Sequence, residues 1–352
     1  MRALLVVALP LVACSTDDPK PCPTQVLSDI THVGGVIVPG RELIGVSWQR
    51  RFGMNQPEVH GQIVSPDGTL SPEIQLGLDH HGTSGSTTIL WHRNADAVNG
   101  CTDVQPFSVT LQRGGAVMHI DVATVSRGRW VTFDGQRYQL FWYTAANEVA
   151  HQALSEDGIL GPVHTLGQGT PFTCVDAASD RAGLTFVRWA DDGYIIDTAT
   201  GALRLVFDGA PNGGYHRTFY FAGEFHVRAG DDLYSVSPTS TGAFVKRRFT
   251  GELGNPQSFY PTDSTMFVRY IDGRILEVDA SLAIVRRLTA PPSEIGTFGT
   301  DLVRFERVDG NLETLDPGRL LLIRQAATEV WRDELAVDSP LHIVEVCEDI
   351  AL

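Results

Sequence analysis

Residues 59–77 recur, without a gap, ninety positions downstream. Of the nineteen aligned pairs nine are identical: Val59/Val149, Gln62/Gln152, Ser65/Ser155, Asp67/Asp157, Gly68/Gly158, Leu70/Leu160, Pro72/Pro162, Leu76/Leu166 and Gly77/Gly167. Each copy is a β-rich run, an Asp-Gly turn and a returning run, the strongest short-range signal for a hairpin. Self-similarity of this kind restricts a chain to repeated copies of one supersecondary unit. Ninety is twice 45, so one more unit belongs between the copies. Arg113-Gly114-Gly115 supplies its turn, between residues 107–112 and 116–121.

Further turns fall at Thr200-Gly201, Thr241-Gly242, Ala280-Ser281 and Pro317-Gly318, each between β-rich flanks. With Gly68, Gly114, Gly158, Gly201, Gly242, Ser281 and Gly318 as markers, the steps are 46, 44, 43, 41, 39 and 37. Seven hairpins at about 40 residues match the four-stranded blade of a propeller. A second strand pair precedes most of them: residues 129–133 and 137–143 around Asp134-Gly135, then 257–260 with 265–270, and 297–299 with 302–307. No long segment carries a helical period. The expectation is an all-β chain, a β-propeller of seven four-stranded blades. Residues 328–337 and 341–348 read as strands that close the ring against the segment after Cys22, so eight blades, one composite from both termini, is the alternative. Two stacked β-sandwiches would also suit regular short strands, but the step length favours blades.

The N-terminus carries an address. Met1-Arg2 gives a short positive start and residues 3–12 an apolar run of ten, far below the roughly 20 needed to span a bilayer as a helix. The run ends in Leu11-Val12-Ala13-Cys14, which resembles the lipobox of bacterial lipoproteins. The resemblance implies diacylglycerol on the Cys14 thiol, cleavage before Cys14 and acylation of the new amino group. Several acyl chains anchor stably where one is marginal. Ser15 follows the cysteine, which in Gram-negative lipoproteins is similar to the signal for outer-membrane delivery, facing the periplasm or the cell surface. The expected domains are a signal peptide (1–13), a lipidated tether (14–24) with prolines around Cys22, and one propeller (25–352).

Four other cysteines remain, Cys22, Cys101, Cys174 and Cys347. An even set outside the cytoplasm favours disulfides, and four allow three connectivities. None has the close spacing of a zinc site or a redox pair. Cys22 and Cys347 flank the globular region. In a four-stranded blade the loop between strands two and three shares a face with the loop between blades. Cys101 falls in the first kind and Cys174 in or beside the second, so Cys101–Cys174 can meet and Cys22–Cys347 can fasten the ends.

Candidate chemistry is sparse. The net charge of -15 argues against nucleic acid and against a polybasic lipid-binding patch. Asp79-His80-His81 is the densest polar cluster in an inter-unit loop, a candidate metal site to which His164 or His216 could add. Adjacent histidines on an extended segment point opposite ways, so the pair alone is a poor chelate. Asp191-Asp192 and Asp231-Asp232 precede third strands, where turn chemistry accounts for carboxylates. Tyr215, His216, Arg217 and Tyr260 lie among the aromatic-rich inner strands of units five and six. They form a candidate ligand site, with blade packing as the competing use of such residues. No nucleophile elbow or dinucleotide fingerprint is present, and no cofactor is expected.

Ser65-Pro66-Asp67-Gly68 resembles the turn of periplasmic TolB-like propeller repeats, though only one unit carries it whole. The chain as a body resembles bacterial β-propeller lipoproteins, a resemblance that carries over no catalytic residue. Two function classes follow. One is a membrane-anchored, non-catalytic platform for a glycan, peptide or protein ligand. The other is an extracytoplasmic hydrolase or lyase acting on carbohydrate or lactone-like substrates, which would need carboxylates and histidines converging in one cleft.

Overall fold

The computed structural model describes residues 25–26, 30–52, 58–65, 69–76, 80–93, 104–169, 175–189, 192–209, 216–229, 232–239, 243–247, 256–270, 272–289, 295–308, 319–325, 330–331, 337–338 and 343–344. Every element among them is a strand. After β1 (Gln25–Val26), the first sheet holds β2 (Ile30–Val38), β3 (Ile44–Phe52), β4 (Glu58–Val64) and β5 (Ile74–Leu76). A seven-stranded sheet follows, made of β6 (His80–Ser84), β7 (Ile89–Arg93), β8 (Gln105–Arg113), β9 (Ala116–Phe133), β10 (Arg137–Tyr143), β11 (Glu148–Ser155) and β12 (Leu160–Gln168).

Three four-stranded sheets come next. They are β13 (Asp176–Ser179), β14 (Leu184–Trp189), β15 (Asp192–Asp197) and β16 (Leu203–Phe207); β17 (His216–Phe221), β18 (Glu224–Ala229), β19 (Asp232–Val236) and β20 (Val245–Arg247); and β21 (Pro256–Pro261), β22 (Met266–Tyr270), β23 (Arg274–Val278) and β24 (Ile284–Thr289). The last large sheet has β25 (Ile295–Phe298), β26 (Asp301–Val308), β27 (Arg319–Gln325), β28 (Val330–Trp331) and β29 (Val337–Asp338), the last pairing with β27. Finally β30 (Ile343–Val344) pairs antiparallel with β1, Gln25 opposite Val344 and Val26 opposite Ile343.

Each sheet is a meander of antiparallel neighbours, as the repeated hairpins require. Side chains alternate between the two faces of a strand, and here both faces are apolar because another sheet packs on each. In β10, Leu140 and Trp142 join Phe107, Val109 and Leu111 on one side. Phe141 and Tyr143 join Ala177, Val187 and Trp189 on the other. The pattern continues around the molecule: Phe186 with Phe225 and Val227, Phe219 and Phe221 with Met266 and Val268, Phe267 with Ile295 and Leu302.

The first strands of these units contact one another in a closed series: β2 with β6, β6 with β9, β9 with β13, β13 with β17, β17 with β21, β21 with β25, and β25 with β2. That ring of inner strands, with meanders radiating from it, is a propeller arrangement. The junction of β25 with β2 is tight. A Cβ added at Gly296 would lie 2.6 Å from Ile37 Cγ2. Just beyond it, Gly40 N donates to Thr297 O (3.2 Å) and Gly299 N to Gly40 O (2.9 Å).

The seven-stranded sheet exists because β9 runs through 18 residues. Its first part pairs with β8 and its last part with β10. The ladder shifts between Phe141 and Tyr143, opposite the stretch that contains Gly128, whose φ is +54°. Glycine reaches that left-handed geometry without the Cβ clash, so the strand turns there without ending.

Candidate functional site

The first strands run the same way around the ring, so the turns that follow them all emerge at one end of the central channel. Three of these turns bring charged groups together. Arg41 lies between β2 and β3, Arg181 between β13 and β14, and Asp263 between β21 and β22. Arg41 Nε and Asp263 Oδ1 are 2.7 Å apart. Their sheets are not neighbours, since β25 contacts both β2 and β21. The pair therefore reaches past the turn at Gly299 and Thr300.

Two of these turns are braced from within. Thr262 Oγ1 accepts the amides of Ser264 (3.3 Å) and Thr265 (3.0 Å). Asp180 Oδ1 accepts those of Ala182 (2.7 Å) and Leu184 (2.9 Å), and Ser179 Oγ accepts the Arg181 amide at 3.0 Å. Arg181 itself has φ +58°, a left-handed conformation that costs a non-glycine residue on the order of 1 kcal/mol. The carbonyl of Arg181 lies beside the next turn, 3.4 Å from where a Gly135 Cβ would be.

Arg181 is exposed, yet surrounding protein is the largest influence on its guanidinium and pushes its pKa down. Repulsion from Arg41 adds to that, while Asp263 opposes it. Among the described residues its guanidinium makes no hydrogen bond.

The residues singled out by sequence fall elsewhere. Cys14, Cys22, Cys101, Cys174, Cys347, Asp79, Asp191, Tyr215 and Asp231 lie outside the described residues. His80, His216 and Arg217 are placed as strand backbone only, at the starts of β6 and β17. His81 is exposed and sits opposite His92 across the ladder, ring centroids 6.5 Å apart. Among the described residues no group of three histidine, cysteine or acidic side chains could hold a metal. Tyr260 is buried and packs with Phe267, Ile275, Ile295 and Leu302 as core. Phe219, Phe221 and Phe259 are core as well. Asp192 accepts from Tyr194 Oη (3.3 Å) and Gly209 N (3.1 Å), and Asp232 pairs with Lys246 at 2.5 Å. These carboxylates brace their own hairpins.

The buried histidines are held by the sheets. His151 Nε2 lies 2.6 Å from Gln139 Oε1, and Gln139 Nε2 donates to Asp134 Oδ2 at 2.6 Å. The His151 ring stacks on Phe141 at 4.8 Å and on His164 at 5.9 Å. His226 Nε2 lies 3.2 Å from Phe221 O, and its ring stacks on Phe219. Burial lowers both imidazoles to a pKa of about 4, so both are neutral near pH 7.

The charged trio left little trace in sequence. Each member sits in a polar turn that looks like any other, and the three are distant along the chain. Only ring closure makes them neighbours.

No protein-family model matches the chain. No curated protein matches it either. Solved structures do. The β-propeller domain of the Trilobed protease from Pyrococcus furiosus, described as having an open velcro topology, matches with a TM-score of 0.53 at 9% identity, over 85% of this chain and 97% of that one. Kuenenia stuttgartiensis hydrazine synthase matches with a TM-score of 0.52 at 11% identity, over 90% of this chain and 100% of that one. Virginiamycin B lyase from Staphylococcus aureus matches with a TM-score of 0.51 at 10% identity, over 77% of this chain and 91% of that one. At such identities the likeness shows the fold alone. The chain is a β-propeller protein.

Proposed function

We propose that this chain is a membrane-anchored bacterial lipoprotein whose seven-bladed propeller is a non-catalytic platform for a glycan, peptide or protein ligand. Dividing β9 at Gly128 makes two four-stranded units of the seven-stranded sheet beside five units elsewhere, and this division supports the reading of seven blades. The anchor rests on Leu11-Val12-Ala13-Cys14 behind an apolar run, with Ser15 directing the protein to the outer membrane.

The observation that carries the platform reading is the meeting of Arg41, Arg181 and Asp263 at one channel end. Rigid turns from three separate sheets present charged groups to solvent there. The imidazoles of His151 and His226 are engaged inside the sheets, His151 with Gln139 and His226 with Phe221, and do not join them.

The termini add a second element. The β1–β30 register pairs Gln25 with Val344. Cys22 precedes Gln25 by three residues and Cys347 follows Val344 by three, a matched spacing along the chain that supports a Cys22–Cys347 disulfide. Cys101–Cys174 is then the remaining pair.

The test is twofold. The protein expressed with its leader is labelled with an alkyne fatty acid, and Cys14→Ser should abolish the label; label on that variant refutes the anchor. The purified mature protein is applied to defined glycan and peptide arrays, and a blank result across both refutes the platform.

A further inference from the structure

Arg41, Arg181 and Asp263 bring two guanidinium groups and one carboxylate to the same hairpin end of the channel. Arg41 already gives its Nε–H to Asp263. Arg181 feels both groups, Arg41 as a like charge and Asp263 as an opposite one. A planar guanidinium presents five donors in a fork that matches a carboxylate or phosphate edge. The side chains of Arg41 and Asp263 are half exposed, at 53% and 46%. A pair this open to water is worth about 0–1 kcal/mol and gives way readily to a better partner.

The turns themselves do not yield. Gly40 is tied to Thr297 and Gly299, the amides of Arg181 and its neighbours to Ser179 and Asp180, and those of Ser264 and Thr265 to Thr262. The neighbouring carboxylate of Asp180 is occupied by two backbone amides. Glu42 is exposed beside Arg41. Two guanidinium groups on held turns with one ion-paired carboxylate between them leave Arg181 without an ion-pair partner among the described residues, which suits an oxyanion site.

We propose that Arg41 and Arg181 together hold the oxyanion group of a ligand, carboxylate or phosphate, and that Asp263 occupies Arg41 until the ligand displaces it. This rests on the platform reading and gives that platform its ligand chemistry. Asp263 acts as an internal competitor, so its removal tightens binding. A pair whose role is only to lock the ring has no such property.

The experiment is calorimetric titration of the mature protein at constant ionic strength with inorganic phosphate, N-acetylglycine, and neutral N-acetylglycinamide. The expected result is binding of at least one oxyanion and none of the amide. Arg181→Gln and Arg41→Gln should each weaken binding about tenfold or more, and Asp263→Asn should strengthen it severalfold. Phosphate alone identifies a phosphate ligand, and N-acetylglycine alone a carboxylate ligand. No heat with either oxyanion overturns the proposal, as does unchanged affinity in Arg181→Gln or weakened affinity in Asp263→Asn. Unfolding curves on each variant confirm that the ring is intact. If the protein still binds a glycan or peptide array while oxyanions fail, only this proposal falls. A blank array removes the platform itself.

Discussion

Glu156 and Thr88 join opposite halves of the seven-stranded sheet through one carboxylate oxygen. Glu156 Oε1 accepts from the Thr88 hydroxyl at 2.8 Å, from the Thr88 amide at 3.1 Å and from the Thr87 amide at 2.8 Å. Thr88 is fully buried, and its carbonyl accepts the Tyr138 hydroxyl at 2.8 Å. The turn between β6 and β7 has its donors satisfied by a residue that follows β11. Removing that acceptor leaves buried donors unpaired, which costs about 1–3 kcal/mol.

Glu156→Ala should therefore lower unfolding stability by that amount. Glu156→Gln, which keeps an acceptor oxygen, should lose less. Urea unfolding measures both, and an alanine variant as stable as the parent rejects the role.

Two buried imidazoles set a pH window. His151 and His226 are held near pKa 4 in the fold, against about 6.5 in the unfolded chain. Between those values the unfolded state binds more protons, so stability rises with pH. The contribution is complete above about pH 6.5 and falls away as pH drops towards 4, by on the order of 3 kcal/mol per ring. Burial also raises the pKa of the Tyr138 phenol, which has no bearing on this window. Denaturation midpoints from pH 7.5 down to 4.5 should decline steadily; a flat profile would falsify the assignment.

Gly296 is where the last large sheet meets the first. A methyl group there meets Ile37 at 2.6 Å, and overpacking of this kind costs about 1–3 kcal/mol. Gly296→Ala should be destabilised, and Ile37→Ala should cost less in that background than in the parent. Strict additivity of the two changes would show that the two residues do not meet.

The proposed disulfides are decided by non-reducing peptide mapping. The expected peptides join Cys22 to Cys347 and Cys101 to Cys174. A bridge that closes nearly the whole chain stabilises by about 6 kcal/mol in the chain-entropy model before native-state strain is subtracted. Four alkylatable thiols, or a Cys22–Cys101 peptide, contradict the scheme.

Much of the fold was legible because the same bonds recur in each copy of the repeat. Gln62 Nε2 donates to Ser71 O at 2.9 Å, and Gln152 Nε2 donates to Gly161 O at 2.7 Å, an identical nine-residue step. Ser65 N meets Thr69 O as Ser155 N meets Ile159 O, each at 3.0 Å. Local hydrogen bonds leave local sequence, so the hairpins at Gly114, Gly158, Gly201 and Ser281 stand where the spacing put them. The continuous strand β9 was not legible, because Arg127 and Gly128 look like an ordinary link between strands. Tyr260 illustrates the converse. An aromatic residue on an inner strand has the same sequence appearance whether it lines a mouth or packs between sheets, and here it packs. The trio Arg41, Arg181 and Asp263 left no pattern at all, since no spacing along the chain encodes proximity across a ring.

Each large sheet draws its strands from consecutive chain, and none of the described strands crosses from the last large sheet into the first. The junction of β2 with β25 is thus a slit in a washer, where among the described residues close packing, two backbone bonds and the short β1–β30 ladder stand in place of a shared strand. A slit of this kind carries strain at its edges without breaking a ladder inside either large sheet. Amides flanking it, Gly40 and Gly299 among them, should exchange with solvent before those inside the sheets.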